Sequence, residues 1–334
     1  MPSVLITGAS GFIGSFLTTE GLTRGYEVFV AIRQSSSREY LQDPRIRFLE
    51  FNTSGPDAVR QSVAAWKASG LRFDYVIHNA GVTKARRKGD FERINRDLTI
   101  HFINALKEET LVPGKLLYMS SLAAWGPGDS RTMQPVRLTD PPRPAGSYGK
   151  SKLAAERFLV EESGIPYVIL RPTGVYGPRE QDYFTLYQSI RKGIEPYLGS
   201  SAQALTFIYV KDLVRAAFDL LASGLSEKAY FISDGNVYTA GEFAAMVKSI
   251  LGRKTIRIVF PLWLVKVLSG LLEDLFAIGG GTPVLNRDKY DILSSMNWTC
   301  DPEPLFNDLA FTPEYDLQKG LEETIGYCRQ HGLL

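Results

Sequence analysis

Cysteine and histidine are scarce in this chain of 334 residues. Cys300 and Cys328 are too few for a disulfide framework, and their spacing matches no metal motif. His78, His101 and His331 lie far apart in sequence, so no histidine-based metal site is expected. An excess of one charge is also lacking. The formal net charge of +2 gives no basic surface for nucleic acid, and none is expected as a partner. No run reaches the roughly 18 apolar residues needed to span a bilayer, so no transmembrane segment is expected. The opening MPSVLITGAS has no basic stretch before its apolar run, and glycine breaks that run at once. It does not read as a secretory signal, and a reducing, cytoplasmic setting is the expectation. There is no internal repeat.

What is present is ordinary globular composition, 44% hydrophobic and 22% charged. The length suits one large or two modest domains. Short apolar runs at 4–7, 28–32, 46–51, 75–78, 115–120 and 167–170 read as strands. Helix-spaced segments at 12–24, 56–68, near 91–107 and at 147–162 alternate with them. Buried strands alternating with amphipathic helices imply a parallel sheet covered on both faces. The expected class is α/β: a Rossmann-type doubly wound parallel sheet with a smaller, mostly helical C-terminal substrate domain. The nucleotide-binding domain is expected over 1–172, with a return near 205–235, and the substrate domain over 173–204 and 236–334. A further strand is expected at 230–233. The apolar segment 262–278 carries Lys266, Gly270, Glu273 and Asp274 on one stripe. It reads as a core helix of the smaller domain or as a helix facing lipid or a greasy substrate.

The first strand runs into Thr7-Gly8-Ala9-Ser10-Gly11-Phe12-Ile13-Gly14 and then a helix. Gly8 permits the tight turn, Gly11 lets the backbone approach a pyrophosphate, and Gly14 allows close helix–strand packing. The helix start, with Phe12 and Ile13, offers free N–H groups and a favourable dipole to an anion. Cofactor choice is set at the end of the second strand. An NAD enzyme usually carries an acid there, about 20 residues after the glycines. Here Ile32 and Arg33 stand instead, followed by Gln34-Ser35-Ser36-Ser37-Arg38. Guanidinium groups match phosphate geometry, so Arg33, Ser36 and Arg38 point to NADP, with NAD second.

Tyr148 and Lys152 stand at i and i+4, on one helix face. A neighbouring ammonium stabilises phenolate, which suits Tyr148 to proton exchange with a carbinol or carbonyl. Spacing alone does not single out this pair, because Tyr315 and Lys319 repeat it. Context does: the fifth strand ends in Met119-Ser120-Ser121, placing a hydroxyl at the carboxyl edge of a parallel sheet, where ligands bind. Ser121 can hydrogen-bond the substrate oxygen.

TGASGFIG, Asn79-Ala80-Gly81, the serine-rich stretch from Ser120 to Gly126, YGKSK, RPTGVYGP at 171–178 and Tyr209-Val210-Lys211-Asp212 together resemble the extended short-chain dehydrogenase/reductases of the NAD-dependent epimerase/dehydratase superfamily. The resemblance runs from residue 3 to about Asp212 and returns in the closing helix near Leu317–Ile325. It implies catalytic roles for Ser121, Tyr148 and Lys152, with Lys152 also holding the nicotinamide ribose. It implies that Asn79, Ala80 and Gly81 line the cofactor and that Pro172 and Thr173 border the nicotinamide. Asn52 stands where the family often has an Asp meeting the adenine, and Trp125 replaces a more usual Tyr. Asn95 matches a frequent family Asn and stays outside the catalytic set.

The family includes reductases, dehydrogenases, sugar-nucleotide epimerases and dehydratases, and fold does not choose among them. Members that bind sugar nucleotides usually carry Asn after the sixth strand, where this chain has Gly174. The C-terminal half is rich in Leu, Trp and Phe, as an apolar pocket would be. The motifs are closest to the 3β-hydroxysteroid dehydrogenase and dihydroflavonol reductase branches. A reductase or dehydrogenase acting on a secondary alcohol or ketone of a hydrophobic small molecule is expected. The alternatives are a sugar-nucleotide epimerase or dehydratase, and a non-catalytic NADP-binding regulator. The resemblance also implies a homodimer through the helices near 91–107 and 147–162.

Overall fold

Short, largely apolar runs become the strands of the central sheet, buried along most of their length except in its edge strand at 47–50. In the computed structural model, which describes residues 1–85, 88–267, 269, 290 and 294–334, these are β1 (Ser3–Thr7), β2 (Glu27–Ile32), β3 (Arg47–Glu50), β4 (Tyr75–His78), β5 (Lys115–Met119) and β6 (Tyr167–Pro172). Between them run α1 (Phe12–Thr23), α2 (Pro56–Ala68), α3 (Lys88–Phe91), a π-helical stretch Glu92–Asp97, α4 (Leu98–Glu108) and α5 (Gly146–Glu161). The later strand β11 (Lys228–Ile232) closes one edge of a seven-stranded sheet. Its order is β11-β6-β5-β4-β1-β2-β3, and β1 to β6 pair in parallel. The order reverses between β1 and β4, the switch point outside which ligands bind in open α/β sheets.

The chain divides into two units, one of Met1–Ala124, Lys150–Arg171 and Val214–Tyr230, the other of Trp125–Gly149, Pro172–Leu213 and Phe231–Leu334. The first is organised by the sheet. Leu5, Val76, Leu116 and Ile169 on the strands pack with Val63, Trp66, Phe102, Leu106 and Leu159 on the helices. Each such side chain contributes roughly 1.5–3 kcal/mol by leaving water. Pro56 at the start of α2 supplies the helical φ where its missing N–H costs nothing.

The second unit carries small sheets that hydrophobic periodicity does not reveal. After β6 come β7 (Gly174–Tyr176), α6 (Phe184–Arg191), β8 (Ile194–Leu198), β9 (Ala204–Leu205), β10 (Phe207–Tyr209) and α7 (Val210–Ala222), which passes into the first unit. Past Asn236 helices outweigh strands: β12 (Tyr238–Thr239), α8 (Ala240–Leu251), β13 (Ile256–Phe260), β14 (Asn297–Trp298), α9 (Glu303–Leu309) and α10 (Leu317–Gln330). Thr239 and Glu242 form a capping box at α8, and Asp316 caps α10 through the Lys319 N–H. An aromatic core of Tyr176, Tyr187, Phe207, Tyr209, Tyr238 and Phe243 holds this unit together. Of the apolar segment 262–278, residues 262–267 are helical; 268 and 270–278 lie outside the described residues.

Candidate active site

The turn after β1 is built around two glycines that admit no side chain. Gly8 has φ +68°, and a Cβ there would lie 2.8 Å from the Ala80 backbone. A Cβ at Gly14 would collide with the Gly8 carbonyl oxygen, so this glycine lets α1 sit against the turn. Gly11 is the extended N-cap of α1. It offers no side-chain cap, and the first turn carries no acid. The N-terminal amides, those of Phe12 and Ile13 among them, therefore lack a local side-chain acceptor, an arrangement suited to a diphosphate.

The end of β4 is tied to this turn. Asn79 Nδ2 donates to Gly8 O at 3.4 Å, and the Ala80 N–H donates to Thr7 Oγ1 at 3.1 Å. Thr7 Oγ1 lies 2.9 Å from His78 Nδ1, and His78 Nε2 lies 3.0 Å from Thr99 Oγ1. Thr99 donates its hydroxyl hydrogen to Asn95 O at 2.8 Å, so it accepts from His78. That fixes the neutral imidazole with hydrogen on Nε2 and an acceptor at Nδ1. His78 is fully buried between the Phe102 and Tyr118 rings, and burial pushes its pKa down to about 3.

At the end of β2, Arg33, Ser36 and Arg38 lie on one loop, with both guanidinium residues exposed. The Ser36 N–H closes a turn on Arg33 O at 2.9 Å, and the Arg38 guanidinium rests 4.2 Å over the Phe48 ring. Asn52, also exposed, is engaged by its own loop and by α2: Oδ1 accepts from the Ser54 N–H, and its backbone N–H donates to Ser62 Oγ.

Ser121 follows β5. Its Oγ accepts from the Ala123 N–H at 3.1 Å and so keeps its own hydrogen to donate. Tyr148 and Lys152 stand one turn apart on α5. Lys152 is buried; its ammonium donates to Met119 O at 2.7 Å and lies 4.7 Å over the Tyr118 ring. Burial lowers its pKa to about 8, against the opposing charge of Glu156. Gly81 leaves room for it, since a Cβ there would stand 3.3 Å from Lys152 Nζ and 3.0 Å from Asn95 Oδ1. In the second unit, the Thr173 N–H follows Pro172 and donates to Ile232 O at 3.2 Å. The buried Thr173 Oγ1 has no hydrogen-bond partner, leaving it free for a bound group. Within the first unit, the uncapped helix start and the glycine turn fit the diphosphate of a dinucleotide.

Three further residues support this arrangement. Asn95, buried in the π-helical stretch, accepts the Val82 N–H and donates to Val82 O and Ser151 Oγ, so it clamps the β4 loop to α5. Glu156 receives Arg171 at 2.7 Å and the Ser120 hydroxyl, with both charged side chains almost fully buried. Glu156 lies one turn beyond Lys152, and Arg171 opens the RPTGVYGP stretch after an apolar run; neither position signals in sequence that the two pair. The second Tyr–Lys pair has a different setting. Tyr315 precedes the cap of α10, and Lys319 rests 4.4 Å over its ring while donating to Glu314 O. Buried Asp212 accepts the Glu314 and Tyr315 N–H groups, which makes this a structural corner.

The model of the NAD dependent epimerase/dehydratase family matches residues 4–233. The chain is 26% identical to the 3 beta-hydroxysteroid dehydrogenase/Delta 5-->4-isomerase of Mycobacterium tuberculosis, covering 97% of this chain and 90% of that one. It is 27% identical to the ceramide reductase of Caulobacter vibrioides, covering 99% and 96%. The UDP-glucose 4-epimerase of Thermus thermophilus, solved in complex with NAD, superposes with a TM-score of 0.77 at 21% identity over 98% of this chain and 99% of that one. That likeness establishes the fold. The chain belongs to the NAD dependent epimerase/dehydratase family and is a nicotinamide-nucleotide-dependent oxidoreductase of extended short-chain type.

Proposed function

We propose that the protein is an NADP-dependent reductase or dehydrogenase acting on a secondary alcohol or ketone of a hydrophobic small molecule. The observation that carries the chemistry is the buried Lys152 ammonium, anchored at the end of β5 and one helical turn from Tyr148. When bound, the nicotinamide supplies hydride exchange at the carbinol carbon. Tyr148 gives a proton to the carbonyl oxygen in reduction and takes it back in oxidation. Ser121 donates a hydrogen bond to that oxygen. Lys152 holds positive charge beside the phenol and toward the nicotinamide ribose.

NADP preference rests on the exposed Arg33 and Arg38 and on the lack of an acid at the end of β2. Two features favour an apolar substrate. A Cβ at Gly174 would collide with the Tyr183 hydroxyl and lie 3.0 Å from Phe207, so the Asn of sugar-nucleotide members would have to displace Tyr183. The C-terminal half is also rich in Leu, Trp and Phe, as a pocket for an apolar substrate would be. A homodimer through α3–α4 and α5 belongs to the same proposal.

The deciding experiment identifies the co-purified nucleotide and follows NADPH oxidation with ketones of increasing apolar bulk. Turnover that rises with apolar bulk supports the proposal. Tightly held NAD⁺ without net NADPH turnover selects the epimerase or dehydratase. Undiminished turnover in Tyr148→Phe removes the assigned proton role. Arg33→Asp should weaken NADPH at least about tenfold more than NADH, the loss of one charge-assisted contact; equal weakening would refute NADP specificity.

A further inference from the structure

The β8–β13 ribbon has its polarity reversed. The parallel register sets Ile256 beside Ile194, Ile258 beside Pro196 and Phe260 beside Leu198, so three successive pairs on one face are apolar. The other face carries Glu195 and Tyr197 of β8, which are buried, with Tyr197 in the core of the unit, while Arg257 and Val259 beside them on β13 are exposed. The apolar face is therefore the outward one. Ile256 is 73% exposed and Ile194 41%, whereas a half-covered sheet normally turns polar residues outward. The helical run at 262–267 continues the surface. Trp263, Lys266 and Val267 share one face by spacing, with Trp263 68% and Val267 53% exposed.

Charge selects the occupant. Residues 251–267 contain Arg253, Lys254, Arg257 and Lys266 and no Asp or Glu, in a chain whose net charge is only +2. All four cations are exposed, but Arg257 lies on the Glu195–Tyr197 face, 4.8 Å over the Tyr197 ring, which leaves Arg253, Lys254 and Lys266 for the outward side. Arg191 and Lys192, exposed just before β8, add to them, and the one carboxylate of β8, Glu195, is buried against Lys248 at 2.9 Å. A second copy of this face would bring like charges together. An anionic headgroup layer complements them, while Trp and the stems of Lys and Arg suit the interface beneath it.

We propose that the outward face of the β8–β13 ribbon, together with the helical run 262–267, docks on an anionic lipid bilayer. The apolar side chains enter the headgroup–acyl boundary, and the cations pair with lipid phosphate. This surface stands independently of the substrate assignment.

The test is co-sedimentation of the full chain with phosphatidylcholine vesicles, with and without about 30 mol% phosphatidylglycerol, across a salt series. Binding that requires the anionic lipid and weakens with salt is expected. Lys254→Glu with Lys266→Glu should weaken it roughly 25-fold or more. Trp263→Ser with Val267→Ser should abolish it while leaving the far-UV circular dichroism and NADPH binding unchanged. If these variants misfold, the lipid and salt series on the unmodified chain decides. No binding to either vesicle, or equal binding to both, overturns the proposal. So does a concentration-dependent dimer without lipid that Trp263→Ser disrupts, since the face would then belong to a second copy.

Discussion

The Lys152 ammonium sits 2.7 Å from the Met119 carbonyl oxygen, so one backbone atom at the end of β5 anchors the charge that the proposed chemistry calls on. Burial holds that ammonium at about 8, so it is charged below that pH and neutral above it. Activity that depends on the positive charge should fall on the alkaline side with a midpoint near 8 in kcat/KM. Lys152→Met should lower kcat/KM by about 100-fold or more, the scale of positioned acid–base catalysis. The residual activity should lose that limb. A variant retaining the limb would assign it to another group.

The Glu156–Arg171 pair makes a prediction about stability. Arg171 reaches Glu156 through Nε at 3.1 Å and through Nη2 at 2.7 Å, almost entirely away from water. Glu156→Leu strands a buried guanidinium and should cost about 3–5 kcal/mol. Glu156→Leu with Arg171→Met removes both charges and should recover most of that loss. Denaturant unfolding of the four proteins in the cycle measures the coupling. Additive losses would mean that the pair is not an energetic unit.

What was legible in the sequence follows from range. Most strands of the large sheet announce themselves because each is a short apolar run next to a helix-spaced segment; β3 is the exception, with Arg47 and Glu50 at its exposed ends. The Gly8–Gly14 turn does so because strand, glycines and helix are contiguous. The ribbon did not, because β8 finds its partner β13 some sixty residues later, and its outward side chains break the usual polarity. Likewise β9 is two residues long and pairs with β14 across most of the second unit. Arg171 reads as part of a family motif in sequence; only the fold brings it against Glu156. The π-helical stretch around Asn95 carries no periodic signal, since a single extra residue per turn leaves no mark on composition.

His78 gives the fold an acid limit. Its pKa is about 3 when folded against 6.5 ordinarily, so the unfolded chain binds the extra proton between those values. The stability contributed by neutral His78 is complete above pH 6.5 and is lost progressively as pH falls from there toward 3. Between neutrality and pH 5 the loss should be about 2 kcal/mol from this residue. Denaturant midpoints measured across that range should fall, and His78→Asn, which cannot titrate there, should flatten the slope. An unchanged slope would place the acid sensitivity elsewhere.

Gly174 offers a test of the substrate side. The Tyr183 hydroxyl occupies the space a Cβ would need, and Tyr183 is itself wedged edge-on against Phe207 with ring centroids 5.7 Å apart. Gly174→Asn must therefore push Tyr183 aside, an overpacking cost of about 1–3 kcal/mol. Tyr183→Phe removes the colliding oxygen and should relieve part of that cost, so the double variant should be more stable than the sum of single losses predicts. Thermal unfolding reads the stability, and turnover of apolar ketones reads the site. If Gly174→Asn is accommodated at full stability and the variant turns over a nucleoside-diphosphate sugar as well as it does apolar ketones, Tyr183 is not what excludes the larger polar substrate. The apolar assignment would then lose one of its two supports.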